Sequence, residues 1–207
     1  MKRTLCILLS LMLAVTGFAG LCVPAAAADW QTGDVVTLGS YPQSRVTGDA
    51  DQSRYANDYA RSDLRQWLNS VFLNMAFSPQ EQAVLTNTML DNSADVRVSR
   101  PLYGSAATTD RVFLLSYADA QNAAYGFTDN ASRRAKSSGY AKCQGAATTG
   151  DYAHWLLRSP GNSSRDIILV NYKGEIVTTN YAYTTDIGVR PAISADLRPF
   201  SCALIIP

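Results

Sequence analysis

Trp155-Leu156-Leu157-Arg158-Ser159-Pro160-Gly161 and, later in the chain, Gly188-Val189-Arg190-Pro191-Ala192 each set an arginine inside an apolar run closed by proline. Apolar runs this dense read as buried strands. A guanidinium keeps its charge, so inside a buried strand it must be ion-paired or fully hydrogen-bonded. The two stretches therefore predict a fixed scaffold of Arg158, Arg190 and Trp155 beneath a surface of loops. Asp166 and Asp186 lie close to them in sequence and are candidate partners, scaffold rather than catalysts.

Around these motifs the last third is strand-like. Residues 154–158 and 167–170 read as strands. Asn171-Tyr172-Lys173-Gly174 supplies a turn with glycine where positive φ is needed. Residues 175–179 return as the hairpin partner, and 187–193 close the set. Upstream, Leu64, Trp67, Leu68, Val71, Phe72 and Met75 recur at helical spacing, with Ser62 as cap, and predict a helix over 62–75 with Trp67 in the core. Ser78-Pro79-Gln80-Glu81 has the form of a capping box and predicts a helix to about residue 86. Residues 35–43 read as a first strand, 95–98 as a short one, and 111–115 as a buried one. Ser116 and Asp119 form a second capping-box pattern, predicting a helix to about residue 125. Residues 128–149 read as a long irregular loop. Strand, helices, then several antiparallel strands is an α+β order in a single domain.

The chain has 207 residues. Lys2 and Arg3, an apolar run over 5–23 and Pro24-Ala25-Ala26-Ala27-Ala28 have the form of a signal peptide over residues 1–28. The expected mature domain is 29–207, secreted or held in the cell envelope, with no stable membrane insertion after cleavage. Without the leader, sixteen basic residues face seventeen acidic ones, a balance that gives no footprint for nucleic acid. Cys143 and Cys202 remain, as a disulfide pair or as two unrelated thiols. The sole histidine, His154, lacks the partners of a nucleophile triad or a zinc site, so no catalytic residue, metal or cofactor is expected.

The loops beside the arginine motifs are rich in Asn, Ser and Tyr. Asn162, Ser164, Tyr172, Tyr181 and Tyr183 are the candidate ligand-binding residues, because Tyr offers rigid area with a polar tip while Ser and Asn adapt their hydrogen bonds. Ordinary polar loops with half-buried tyrosines are the alternative.

Gly39-Ser40-Tyr41-Pro42-Gln43, Asp63-Leu64-Arg65-Gln66-Trp67-Leu68-Asn69, Val112-Phe113-Leu114-Leu115-Ser116 and the two arginine motifs occur in this order. Together they resemble an uncharacterised domain family of secreted and surface bacterial proteins, domain of unknown function 6273. The resemblance spans residues 32–195. His154 departs from it, since the family often has a second tryptophan there. The ending is also similar to C-type-lectin-like domains of the formylglycine-generating-enzyme type, which implies a lectin-like domain with a twisted antiparallel sheet and long loops. The cysteine pair of those enzymes is missing around Arg190, and the calcium-lectin signatures E-P-N and W-N-D are absent. Fold alone does not give function. The expectation is a secreted, non-catalytic module for an extracellular glycan, cell-wall or protein ligand. The alternatives are an extracellular hydrolase, a degenerate formylglycine-generating-type enzyme, or a structural or adhesion module of the envelope.

Overall fold

The structure, a computed structural model, describes residues 56–196. The leader, the expected strand at 35–43 and Cys202 lie outside the described residues, so the Cys143–Cys202 pairing does too. Short helices and antiparallel sheets are combined without βαβ alternation, an α+β architecture.

The Ser62 hydroxyl accepts the Arg65 N–H at 3.1 Å and so caps α1 (Asp63–Trp67). A π-helical turn (Leu68–Phe72) and α2 (Leu73–Ala76) continue it. Leu64, Trp67 and Leu68 are buried, but the apolar stripe then slips. The Leu73 N–H donates to the Leu68 carbonyl, five residues back, and that wide turn displaces the following residues around the helix. Leu73 is buried, while Val71 and Met75 are 47% and 57% exposed. α3 (Pro79–Gln82) opens on the expected reciprocal box of Ser78 and Glu81. It stops at Gln82, short of residue 86, because the next backbone groups bond elsewhere. Thr86 N–H donates to the Ser194 carbonyl and Asp196 N–H to that of Val84, both at 2.8 Å.

β1 (Thr88–Leu90) pairs with β2 (Thr108–Asp110). The expected strand at 95–98 is a turn instead. The Asp95 carboxylate accepts the Arg97 backbone N–H and its Nε–H, at 3.0 and 2.9 Å, and such local bonds compete with a ladder. The apolar run 112–115 is buried as expected and contains β3 (Val112–Phe113). Ser116 and Asp119 do bond reciprocally, but two 3₁₀ turns follow, Asp119–Gln121 and Ala123–Tyr125, broken where the Asn122 side chain accepts the Ala124 N–H.

Residues 128–149 are not one irregular loop. They hold α4 (Asn130–Arg133), β4 (Ala135–Lys136), α5 (Gly139–Cys143) and β5 (Thr148–Thr149). Asp129 and Ser138 cap the two helices through their side-chain oxygens. β6 (Tyr152–Ala153) lies between β4 and β5 in a small sheet.

The main sheet runs β7 (Trp155–Pro160), β8 (Asp166–Val170), β9 (Ile176–Tyr181), all antiparallel. All six residues of β7 are buried, and its two edges explain why. One edge pairs with β8. On the other, Leu156 N–H donates to the Gly188 carbonyl at 3.1 Å and Gly188 N–H to that of His154 at 2.9 Å. Further along this edge, Arg158 N–H donates to the Leu115 carbonyl at 2.9 Å. The chain then forms β10 (Ala192–Ile193), which pairs back with β3. The two arginine motifs are thus spatial neighbours, one lying along the other.

Candidate functional site

Both arginines are in the interior, with 7% of Arg158 and 5% of Arg190 exposed. β7 shifts register against β8 between Leu156 and Pro160, and an irregularity of this kind re-aims a side chain. The Arg158 Nη1 donates to the Leu114 carbonyl at 2.7 Å and to Asp119 Oδ2 at 2.8 Å. Its partner is therefore Asp119, not Asp166 or Asp186. The turn after residue 115 carries Asp119 over β7, whereas Asp166 sits at the far end of β8, opposite Tyr181. Asp119 supplies the ion pair, while the buried Arg158 Nε has no acceptor among the described residues. The Arg190 guanidinium lies over two rings, 4.9 Å from the Trp155 centroid and 5.3 Å from that of Phe127. Trp155, fully buried, donates its indole N–H to the Arg133 carbonyl at 3.0 Å.

Sequence reasoning missed a third arginine. Arg65 grips Asp110 from α1, with Nε 2.9 Å from both carboxylate oxygens and Nη2 2.7 Å from Oδ1. Asp110 is buried and also accepts from Thr108 Oγ1. The signal was available in the Asp63-Leu64-Arg65 segment, but the distant partner was not.

Above this frame, the candidate binding residues separate into two groups. Tyr181, the last residue of β9, and Tyr183, in the turn that follows, flank buried Ala182 and are both exposed. Their rings stack 5.0 Å apart at an interplanar angle of 9°, and each is about half exposed. The Ala182 N–H donates to the Arg165 carbonyl at 2.9 Å, which holds this turn against residues 162–165. Asn162 is exposed and Ser164 half-buried there. The Ser99 hydroxyl donates to the Gly161 carbonyl at 2.6 Å and brings in a neighbouring loop, with Val96 75% and Leu102 61% exposed. One end of the sheet thus gathers Asn162, Ser164, Tyr181 and Tyr183.

Tyr172 is not among them. It lies in the β8–β9 turn, at the other end of strands roughly 15 Å long. That turn is clamped by α4 and its flank: Arg133 Nε donates to the Gly174 carbonyl at 2.9 Å and Arg134 Nε to that of Tyr172 at 3.2 Å. His154 meets the Tyr172 ring edge-on at 5.6 Å. Burial holds its imidazole below the ordinary pKa, opposed by the charge of Asp186. Among the described residues the His154 side chain has no hydrogen-bond partner, so no base–carboxylate dyad is assembled. No group of three His, Cys, Asp or Glu side chains among them is placed to hold a metal ion. No helix among them is long and apolar enough to cross a membrane.

Residues 34–197 match a family described as a domain of unknown function (DUF6273). Comparison with curated proteins and with solved structures finds no match.

Proposed function

The chain belongs to the DUF6273 family, and from that premise we propose that it is an exported bacterial, non-catalytic module that binds extracellular glycans. The proposed recognition face is the end of the main sheet carrying Tyr181, Tyr183, Asn162 and Ser164. The observation behind this reading is the stacked, outward-facing Tyr181–Tyr183 pair on a turn anchored by buried Ala182. Exposed rings fixed by the backbone offer apolar area at little entropic cost, and the Asn and Ser beside them supply hydrogen bonds to hydroxyl-rich ligands. The lectin-like reading of the fold has the same support: a small antiparallel sheet, long connections, and a late Gly188-Val189-Arg190 segment packed into the core. Export rests on the leader-like residues 1–28.

The test is a glycan and peptidoglycan array probed with the exported protein, with and without chelator. Chelator-insensitive binding to a defined set of glycans is expected. An array without signal contradicts the reading.

A further inference from the structure

At the other end of the sheet lies a second surface, cationic and aromatic. Lys136 and Tyr152 are directly paired across β4 and β6, so their side chains share a face. Tyr152 and His154 flank buried Ala153 and also point the same way. Arg134, two residues before Lys136, sets its guanidinium 3.5 Å from the Tyr152 ring centroid. Its Nε is tied to the Tyr172 carbonyl, while its two Nη groups have no hydrogen bond among the described residues. Lys173, in the adjoining turn, places Nζ 5.7 Å from the Tyr172 ring. Arg134, Lys136 and Lys173 are exposed, and none has a carboxylate partner among the described residues.

The acids of neighbouring elements are mostly engaged. Asp129 caps α4, Asp151 pairs with Lys142, and Glu175 accepts from Asn171 at 2.8 Å. The charge of Asp186 is felt at His154. In a chain close to neutral, three unpaired cations around two tyrosines are a local concentration of charge.

We propose that Arg134, Lys136 and Lys173 form a binding site for the carboxylates of an acidic polysaccharide. A guanidinium fixed by a ring below and a carbonyl behind presents its remaining N–H edge as a preformed fork, the geometry that receives a carboxylate in two parallel hydrogen bonds. The cations are strung along a surface, which suits a repeating anion better than a single small one. The half-buried Tyr172, whose carbonyl holds Arg134 and whose ring lies beside Lys173, gives a sugar ring an apolar surface. This site extends the glycan-binding reading but uses none of the residues of the Tyr181–Tyr183 face, so the two can fail separately.

The experiment titrates the whole exported protein with polygalacturonate, its fully methyl-esterified form and inorganic polyphosphate, at low and high salt. Polygalacturonate is expected to bind, the ester not, and salt to weaken binding. Lys136→Gln/Lys173→Gln, at two exposed positions, should lower affinity by about tenfold or more. Arg134→Gln should do the same, with circular dichroism checking that the Tyr172 turn survives. Tyr181→Ala/Tyr183→Ala should leave polygalacturonate binding unchanged. Ester binding as tight as the acid, polyphosphate binding tighter than polygalacturonate, or an unaffected double lysine variant would each overturn the site. Neutral glycans bound through Tyr181 and Tyr183 with no response to polygalacturonate would remove this inference and leave the proposed function standing.

Discussion

Arg158 Nη1 stands 2.8 Å from Asp119 Oδ2, and the same carboxylate oxygen accepts the Ser116 backbone N–H at 2.8 Å. One side chain therefore closes the turn after β3 and neutralises the cation buried in β7. Separate parts of the chain are locked together by groups that cannot be deleted singly without leaving another unmet.

Arg158→Met should take the guanidinium from the Leu114 carbonyl and leave Asp119 with the Ser116 N–H but no cation, destabilising by about 3 kcal/mol. Asp119→Asn should cost less, because that side chain is 24% exposed. Urea unfolding of the two single variants and the double variant measures the coupling. Strict additivity would mean that the pair contributes nothing of its own.

Much of this frame is legible in the amino-acid order, and the misses have physical causes. Dense apolar runs around Arg158 and Arg190 mark buried strands whatever their partners, and the Ser62 and Ser78 caps depend only on neighbours along the chain. The π-turn at Leu68–Phe72 is a tertiary choice, so the exposure of Val71 and Met75 could not be read from a regular period. Residues 128–149 hide their elements because each is only two to five residues long, too short for periodicity to register. Loop composition put forward Tyr172, Tyr181 and Tyr183 together as candidates, but could not show that Tyr172 lies at the opposite end from the other two. That separation follows from hairpin geometry rather than from residue type. The Arg134–Tyr152 contact joins the residue between α4 and β4 to β6 and leaves no local trace.

Gly174 tests the clamp on the β8–β9 turn. It has φ of 83°, and an added Cβ would fall 1.6 Å from the Asn130 carbonyl oxygen. Gly174→Ala should therefore cost roughly 2–4 kcal/mol, combining left-handed strain with displacement of α4. Gly126, with φ of 87° but open space around it, is the control and should cost only about 1 kcal/mol as Ala. Equal losses in denaturant melts would show that the turn does not press on α4.

His154 predicts a pH dependence. Burial lowers its pKa in the folded state, with Asp186 opposing, so the unfolded chain takes up the proton more readily. The contribution to stability is complete above the unfolded value, about 6.5, and is lost as pH falls from there through the folded value. Denaturant midpoints measured from about pH 8 to about pH 5 should decline on the acid side, and His154→Gln should flatten the decline. An unchanged slope in that variant would assign the acid loss to other groups.

The account rests on a recognition face that is separable from the frame holding it. The most direct measurement is glycan binding and thermal unfolding of Tyr181→Ala/Tyr183→Ala side by side. Because both rings stand outside the core, binding should be lost while the melting temperature shifts by no more than about 2 °C. Binding that survives the loss of both rings, or a protein that unfolds without them, would contradict it.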